Sequence, residues 1–236
     1  MSRRLEGRLA LVTGASRGIG AAVAEALAKE GAELILVART VGGLEETDDR
    51  VKAAGSKATL VPLDLTDSPA IDRLGASIYE RWGKLDILVA NHGILGNLTP
   101  VAHYDPKLFD EVMAVNLTSC QRLIRSMDPL LRASDGGRAV FVTSGAAIGE
   151  RPFWGAYAIS KAALEAMVRC YAAEVKTTDL RVNLLDPRGT RTSMRATAYP
   201  GEDPMSLKTP EETAPAFVDL CLPDCPSHGD RIEATV

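Results

Sequence analysis

Short aliphatic runs alternate with longer stretches of helical period along almost the whole chain, and that alternation restricts the fold more than any other feature. Residues 9–13, 34–38, 58–62, 87–90, 139–143 and 182–185 read as strands. Between them, 18–30, 41–54, 68–82, 106–131 and 154–176 carry a 3.6-residue period, with Gly31 and Gly55 placed to stop the first two helices. A last helix is expected at 210–222 and a short final strand at 231–236. Strand, helix and strand in succession pack as right-handed units around a buried parallel sheet. The expected fold is therefore α/β, a single doubly wound domain over 1–236 with a mainly parallel seven-stranded sheet and helices on both faces. From 189 to 210 the pattern dissolves into Arg, Thr, Pro, Gly and Asp with no clear strand. An unpatterned segment of this length reads as a binding loop or lid over a substrate.

Composition narrows the function classes. A net charge of −4 and a pI near 5.5 disfavour a nucleic-acid partner. No run approaches the ~18 apolar residues of a membrane span. The basic start leads only into a four-residue apolar stretch at 9–12, too short for a secretory signal, so a cytoplasmic protein is expected. Cys120, Cys170, Cys221 and Cys225 lack metal-ligand or redox spacing; Cys120 and Cys170 fall in apolar helical patterns and are expected in the core, with no metal site.

The first strand runs straight into Thr13-Gly-Ala-Ser-Arg-Gly-Ile-Gly20 and then a helix. Gly14, Gly18 and Gly20 permit a tight turn, close approach of backbone to a pyrophosphate, and tight helix–strand packing. The helix behind them offers free N–H groups and a positive dipole end to an anion. That context, strand before and helix after, makes a Rossmann-type dinucleotide site the reading, with Ser16, Arg17 and Ile19 in the same loop.

The Gly-x3-Gly-x-Gly spacing resembles the short-chain dehydrogenase/reductase (SDR) family, classical type, and the resemblance extends over nearly the whole chain. An acid about 20 residues after the glycines would bind the ribose 2′-hydroxyl of NAD. Ala38 stands where NAD-dependent members of the family usually carry Asp, and Arg39 follows it. Arg17 and Arg39, each alone an ordinary solvated arginine, together suit a 2′-phosphate, so NADP(H) is the preferred cofactor and NAD(H) the alternative. Asp48 and Asp49 lie about two turns into the next helix and face elsewhere. Asp64 with Leu65 matches the family's adenine-contacting position; from composition alone Asp64 also reads as a cap for the helix after Asp67. Asn91-His92-Gly93 resembles the family's Asn-Ala-Gly turn, with His92 read as packing beside the cofactor rather than as a catalyst.

Tyr157 and Lys161 stand at i and i+4, on one helical face. Such a pair is common on surfaces, but a nearby cation is also what brings a phenol of pKa about 10 towards acid–base work. Ser144 ends the fifth strand thirteen residues before Tyr157, and Asn116 lies mid-helix, where asparagine has little local reason to be. Asn116, Ser144, Tyr157 and Lys161 match the family tetrad in order and spacing. The resemblance implies that Tyr157 passes the proton to or from a carbonyl or alcohol oxygen while Ser144 holds that oxygen. It implies that Lys161 binds the nicotinamide ribose and lowers the tyrosine pKa, and that Asn116 holds a relay water. Pro187 and Thr192 match the turn near the nicotinamide carboxamide, but Arg188 replaces the family's glycine; Gly189 either takes over the turn or the nicotinamide end is weakened.

The expected activity is reversible hydride transfer between NADP(H) and a small carbonyl or secondary alcohol. Against it stand an NADP(H)-binding sensor without turnover, which Arg188 alone favours, and a nucleotide-sugar epimerase, which the glycine spacing disfavours. Met194, Tyr199 and Met205 in the loop 192–208, with Phe153 and Trp154, would cover a hydrophobic substrate or merely pack. The resemblance further implies a homodimer or homotetramer through the helices at 106–131 and 154–176, and a short C-terminal tail.

Overall fold

The strands Leu9–Thr13 (β1), Ile87–Ala90 (β4) and Arg138–Val142 (β5) are buried at every position, which is why they read as unbroken runs and not as alternating ones. A sheet covered on both faces imposes that pattern. The structure, a computed structural model, describes residues 3–234. With Glu33–Ala38 (β2), Ala58–Pro62 (β3), Arg181–Asp186 (β6) and Arg231–Glu233 (β7), these strands form one seven-stranded sheet in the order β3-β2-β1-β4-β5-β6-β7. Every strand pairing in it is parallel. Of the last expected strand, 231–236, residues 235 and 236 lie outside the described residues.

Successive side chains leave a strand on opposite faces, and two cores result. Ala10, Val12, Leu34 and Leu36 pack with Gly18–Lys29 (α1), Val41–Ala53 (α2) and Pro210–Cys221 (α8). Leu9, Leu11, Ile35 and Phe141 pack with Ser68–Trp82 (α3), Ser119–Arg132 (α5) and Gly155–Val175 (α6). The doubly wound arrangement places a reversal of strand order between β1 and β4, the place where open α/β sheets form a crevice beyond their carboxyl ends.

Several local features differ from the sequence expectations. The helix expected at 106–131 is Pro106–Met113 (α4), a π-helical turn Ala114–Thr118, and α5. The wide turn holds Asn116, whose amide bonds to a neighbouring loop and not along the helix. The cap of α3 is Asp67, which accepts from the Ala70 N–H at 3.1 Å, whereas Asp64 accepts from Thr66 at 2.9 Å (N–H) and 2.8 Å (hydroxyl). The segment 189–210 is not wholly irregular: it contains the helix Ser193–Ala198 (α7) and a 3₁₀ turn at Pro204–Ser206. Six residues are too few to display a period, so α7 was invisible to pattern reading. Cys120 is buried as expected, but Cys170 is exposed on the outer side of α6. Among the described residues no helix is long and apolar enough to cross a membrane, and no acid, His and Cys cluster could hold a metal.

Candidate active site

A cavity of about 590 Å³ opens along the carboxyl ends of β1, β2, β4, β5 and β6. Gly14, Ser16, Arg17, Gly18 and Ile19 line its middle; Arg39, Asp64 and Leu65 line one end; Ser144, Tyr157, Lys161, Pro187 and Thr192 line the other. Asn91 and Gly93 lie between. Gly20 and Asn116 stand behind the wall rather than on it.

The glycine turn tests whether a dinucleotide fits. A side chain at Gly20 would bring its Cβ to 2.2 Å from the Gly14 carbonyl oxygen, so only glycine lets α1 begin this close to β1. Arg17, at the N-cap of α1, supplies no side-chain hydrogen bond, and the first turn carries no acid. The helix start is thus left with N–H groups for an anion. Asn91 braces the turn by donating to the carbonyls of Thr13 (3.1 Å) and Gly14 (3.3 Å). Arg17 and Arg39 are both exposed at the cavity, and the carboxyl of Asp64, held low first by its Thr66 hydrogen bonds and then by Arg39, is the nearby acid. Asp48 is turned away, paired with Lys52 at 2.6 Å. Residues and cradle fit a phosphate-bearing dinucleotide.

At the far end, Ser144 follows β5 with extended backbone and accepts from the Ala146 N–H at 3.2 Å. In the first turn of α6, Tyr157 is buried against Leu95 and Ala146, with Trp154 edge-on at a centroid distance of 5.8 Å. Burial pushes the Tyr157 phenol up; the Ser144 hydroxyl pulls it down, and the Asp186 carboxylate raises it further. The Lys161 ammonium, 3% exposed, donates to the Val142 carbonyl at 2.8 Å and is itself pushed down by burial.

Asn116 accepts from the Ile94 N–H (2.8 Å) and donates to the Ile94 carbonyl (2.9 Å) and the Ser160 hydroxyl (3.0 Å). It thereby joins the loop after β4 to α6. A Cβ on Gly93 would lie 3.2 Å from Asn116 Oδ1 and 3.6 Å from Lys161 Nζ, so both groups crowd the backbone at Gly93, Lys161 on the cavity wall and Asn116 behind it. His92 is buried in a chain between the Thr13 hydroxyl (2.7 Å) and the Ser119 hydroxyl (2.6 Å). Burial, with Lys161 nearby, pushes its pKa down to about 3, so it is a neutral packing residue.

Arg188 adopts φ +57°, the left-handed conformation, so Gly189 does not take over the turn. For a residue with a Cβ that costs about 1–2 kcal/mol. The Asp186 carboxylate offsets it by accepting from the Arg188 N–H at 2.8 Å. α7 forms the cover. Met194 and Ala198 pack with Trp154 beside Tyr157, and Tyr199 stacks on Trp154 at 5.6 Å. Arg195 lies 3.8 Å over the Tyr199 ring and is held by Glu202. Phe153 and Met205, expected in this cover, are 55% and 75% exposed and do not line the cavity. Asp186 and Arg195 line it without having been singled out in the sequence. A carboxylate closing a buried strand, directly after Leu184-Leu185, was the available signal for Asp186; Arg195 carried none.

Residues 8–203 match the short chain dehydrogenase family. The uncharacterized oxidoreductase YciK of Escherichia coli K12 is 38% identical over 219 residues, covering 92% of this chain and 86% of that protein. A short chain dehydrogenase from Escherichia coli CFT073 solved in complex with NADPH superposes with a TM-score of 0.95 at 36% identity, covering 100% of both chains. One from Shigella flexneri 2a solved with NADP gives a TM-score of 0.95 at 36% identity, covering 99% of each. Sequence match, whole-chain superposition and cleft geometry coincide: this chain is an oxidoreductase belonging to the short-chain dehydrogenase family, and its cofactor is a nicotinamide dinucleotide.

Proposed function

We propose that the chain catalyses reversible hydride transfer between NADP(H) and a small carbonyl compound or secondary alcohol, with Tyr157 as general acid and base. One observation carries this reading. Ser144, Tyr157 and Lys161 share one end of a single cavity whose other end carries Arg39, with Arg17 on the glycine turn between. When bound, the nicotinamide supplies or accepts the hydride.

The chain's own residues do the rest. Arg17 and Arg39 hold a 2′-phosphate, and the α1 start holds the pyrophosphate. Lys161 has the reach and the free donors for the ribose hydroxyls at the other end. The substrate oxygen lies between the Ser144 hydroxyl and the Tyr157 phenol. Tyr157, kept protonated by burial, gives its proton to that oxygen in reduction and takes one in oxidation. Asn116 fixes the Gly93–Ile94 backbone and Ser160 behind Lys161, next to any relay water.

α7 with Trp154 and Tyr199 shields the reacting oxygen from water, and the segment 189–210 selects the substrate. The relatives solved with NADPH and NADP favour NADP(H) over NAD(H). Arg188, which spoke for a sensor without turnover, takes up the left-handed turn and lines an open cavity, which favours an active enzyme. We also infer one NAD(P)-binding domain acting in the cytoplasm, supported by four free thiols, and a homodimer or homotetramer built on α5 and α6.

Side-by-side fluorescence titrations with NADPH and NADH, followed by a screen of aldehydes and ketones, test the reading. Tighter NADPH binding with carbonyl-dependent oxidation of NADPH is expected. Binding of neither nucleotide sinks it.

A further inference from the structure

The end of the sheet beside the cavity holds a buried charge cluster that the hydride-transfer mechanism does not use. Asp186 closes β6 and is 1% exposed; Glu165, on α6, is 2% exposed. Arg231, on the edge strand β7, sits between them. Its Nε donates to Glu165 Oε1 at 2.9 Å, one terminal nitrogen to Asp186 Oδ2 at 2.8 Å, and the other to Glu233 Oε1 at 2.9 Å. Glu165 also accepts from the Thr143 hydroxyl (2.7 Å) and from Arg169 (2.6 Å).

Asp186 divides its two oxygens. Oδ2 takes the Arg231 guanidinium, and Oδ1 takes the backbone N–H of Arg188, the residue at φ +57°. The Arg188 side chain reaches back to Glu233 at 3.3 Å. A glycine would adopt this turn unaided, whereas an arginine needs its backbone held. The turn faces the cavity end occupied by Ser144 and Tyr157, opposite the end marked by Arg39 and Asp64.

We propose that Arg231 is a positioning residue for the nicotinamide end of the site. Its forked guanidinium fixes the Asp186 carboxylate, and Asp186 fixes the Pro187–Arg188 turn in the conformation that keeps this end of the cavity open. The same guanidinium, through Glu165, ties the Thr143–Ser144 step to β7. Arg231 touches neither cofactor nor substrate and acts only through these carboxylates. Without it, Asp186, Glu165 and Glu233 would face one another as three carboxylates, with Arg188, Arg169, Arg151 and Lys208 as the nearby cations.

The proposal rests on the reading of the cavity as a nicotinamide dinucleotide site, and the test separates the two. Binding of NADPH and of 2′,5′-ADP, which lacks the nicotinamide half, is measured by calorimetry for wild type, Arg231→Gln, Arg188→Gly and the double variant. For Arg231→Gln the expected result is about a tenfold loss of NADPH affinity with 2′,5′-ADP affinity unchanged. In the Arg188→Gly background, adding Arg231→Gln should cost less than about twofold, because glycine no longer needs the clamp.

Arg231→Lys keeps a charge but cannot fork among three carboxylates. It should lie between wild type and Arg231→Gln, and it carries the test if Arg231→Gln does not fold. Equal weakening of both ligands, no weakening of either, or the same loss with and without Arg188→Gly overturns the clamp. Failure of wild type to bind NADPH overturns the reading of the cavity, and the clamp with it.

Discussion

The Lys161 ammonium donates to the Val142 carbonyl at 2.8 Å while lying 3% exposed at the wall of the cavity. A buried cation with a single neutral acceptor is poorly compensated, and burial accordingly pushes its pKa down. Two further donors on that nitrogen remain for ligand hydroxyls. Lys161→Met is therefore expected to keep the fold, raise or preserve thermal stability, and lower NADPH affinity and turnover together. A loss of turnover on the order of a hundredfold or more is expected. Melting temperature and steady-state kinetics on the same preparation check it; unchanged turnover would remove Lys161 from the mechanism.

Tyr157→Phe removes only the phenolic oxygen from a buried, edge-stacked ring. Turnover should vanish while the NADPH dissociation constant stays within about twofold. Full activity in this variant would falsify the assignment of the proton donor.

The upward push on the Tyr157 phenol moves the pH dependence to the alkaline side, and the protonation state each direction uses sets its sign. Carbonyl reduction uses the protonated phenol, so its rate should hold through neutral pH and fall as pH rises through the tyrosine pKa. Alcohol oxidation uses the deprotonated form and should rise over the same interval. Rate–pH profiles in both directions decide this, and two profiles falling in parallel on the alkaline side would contradict it.

His92 binds a proton in the unfolded chain near pH 6.5 but in the folded chain only near pH 3. Its folded pKa is depressed, so the stability linked to it is present above the unfolded value and is lost as pH falls through that window. The slope is about 1.4 kcal/mol per pH unit at most. Urea midpoints measured from pH 7 to 4 should decline for wild type and decline less for His92→Gln. Identical slopes would show that the ring is not held neutral by burial.

Arg39→Ala should weaken NADPH by about tenfold or more and leave NADH nearly unchanged, because only the former carries the 2′-phosphate. Arg17→Ala should act in the same direction. Equal loss for both nucleotides would assign these arginines to something other than that phosphate.

The doubly wound sheet and the glycine turn were legible in the sequence because each depends on local chemistry. Continuous aliphatic runs mark strands buried on both faces, and the crowding of Gly20 against the Gly14 carbonyl leaves no alternative residue there. The Tyr157–Lys161 spacing was legible for the same reason, since i and i+4 share a helical face. What pattern reading could not reach were relationships between residues far apart in the chain. Asp67 and Asp64 compete for one capping role, and only the path of the chain assigns it to Asp67. Arg188 looks like a defect beside the family's glycine until Asp186, Arg231 and Glu233 are seen around it. The direction of the Tyr157 pKa also belongs to the tertiary structure. Spacing brings Lys161 onto the right face, but burial of the ring, the Ser144 hydroxyl and the Asp186 carboxylate set the direction. Local sterics and periodicity act between neighbours and are written in the sequence; desolvation and ion pairing act through space and exist only once distant strands have met.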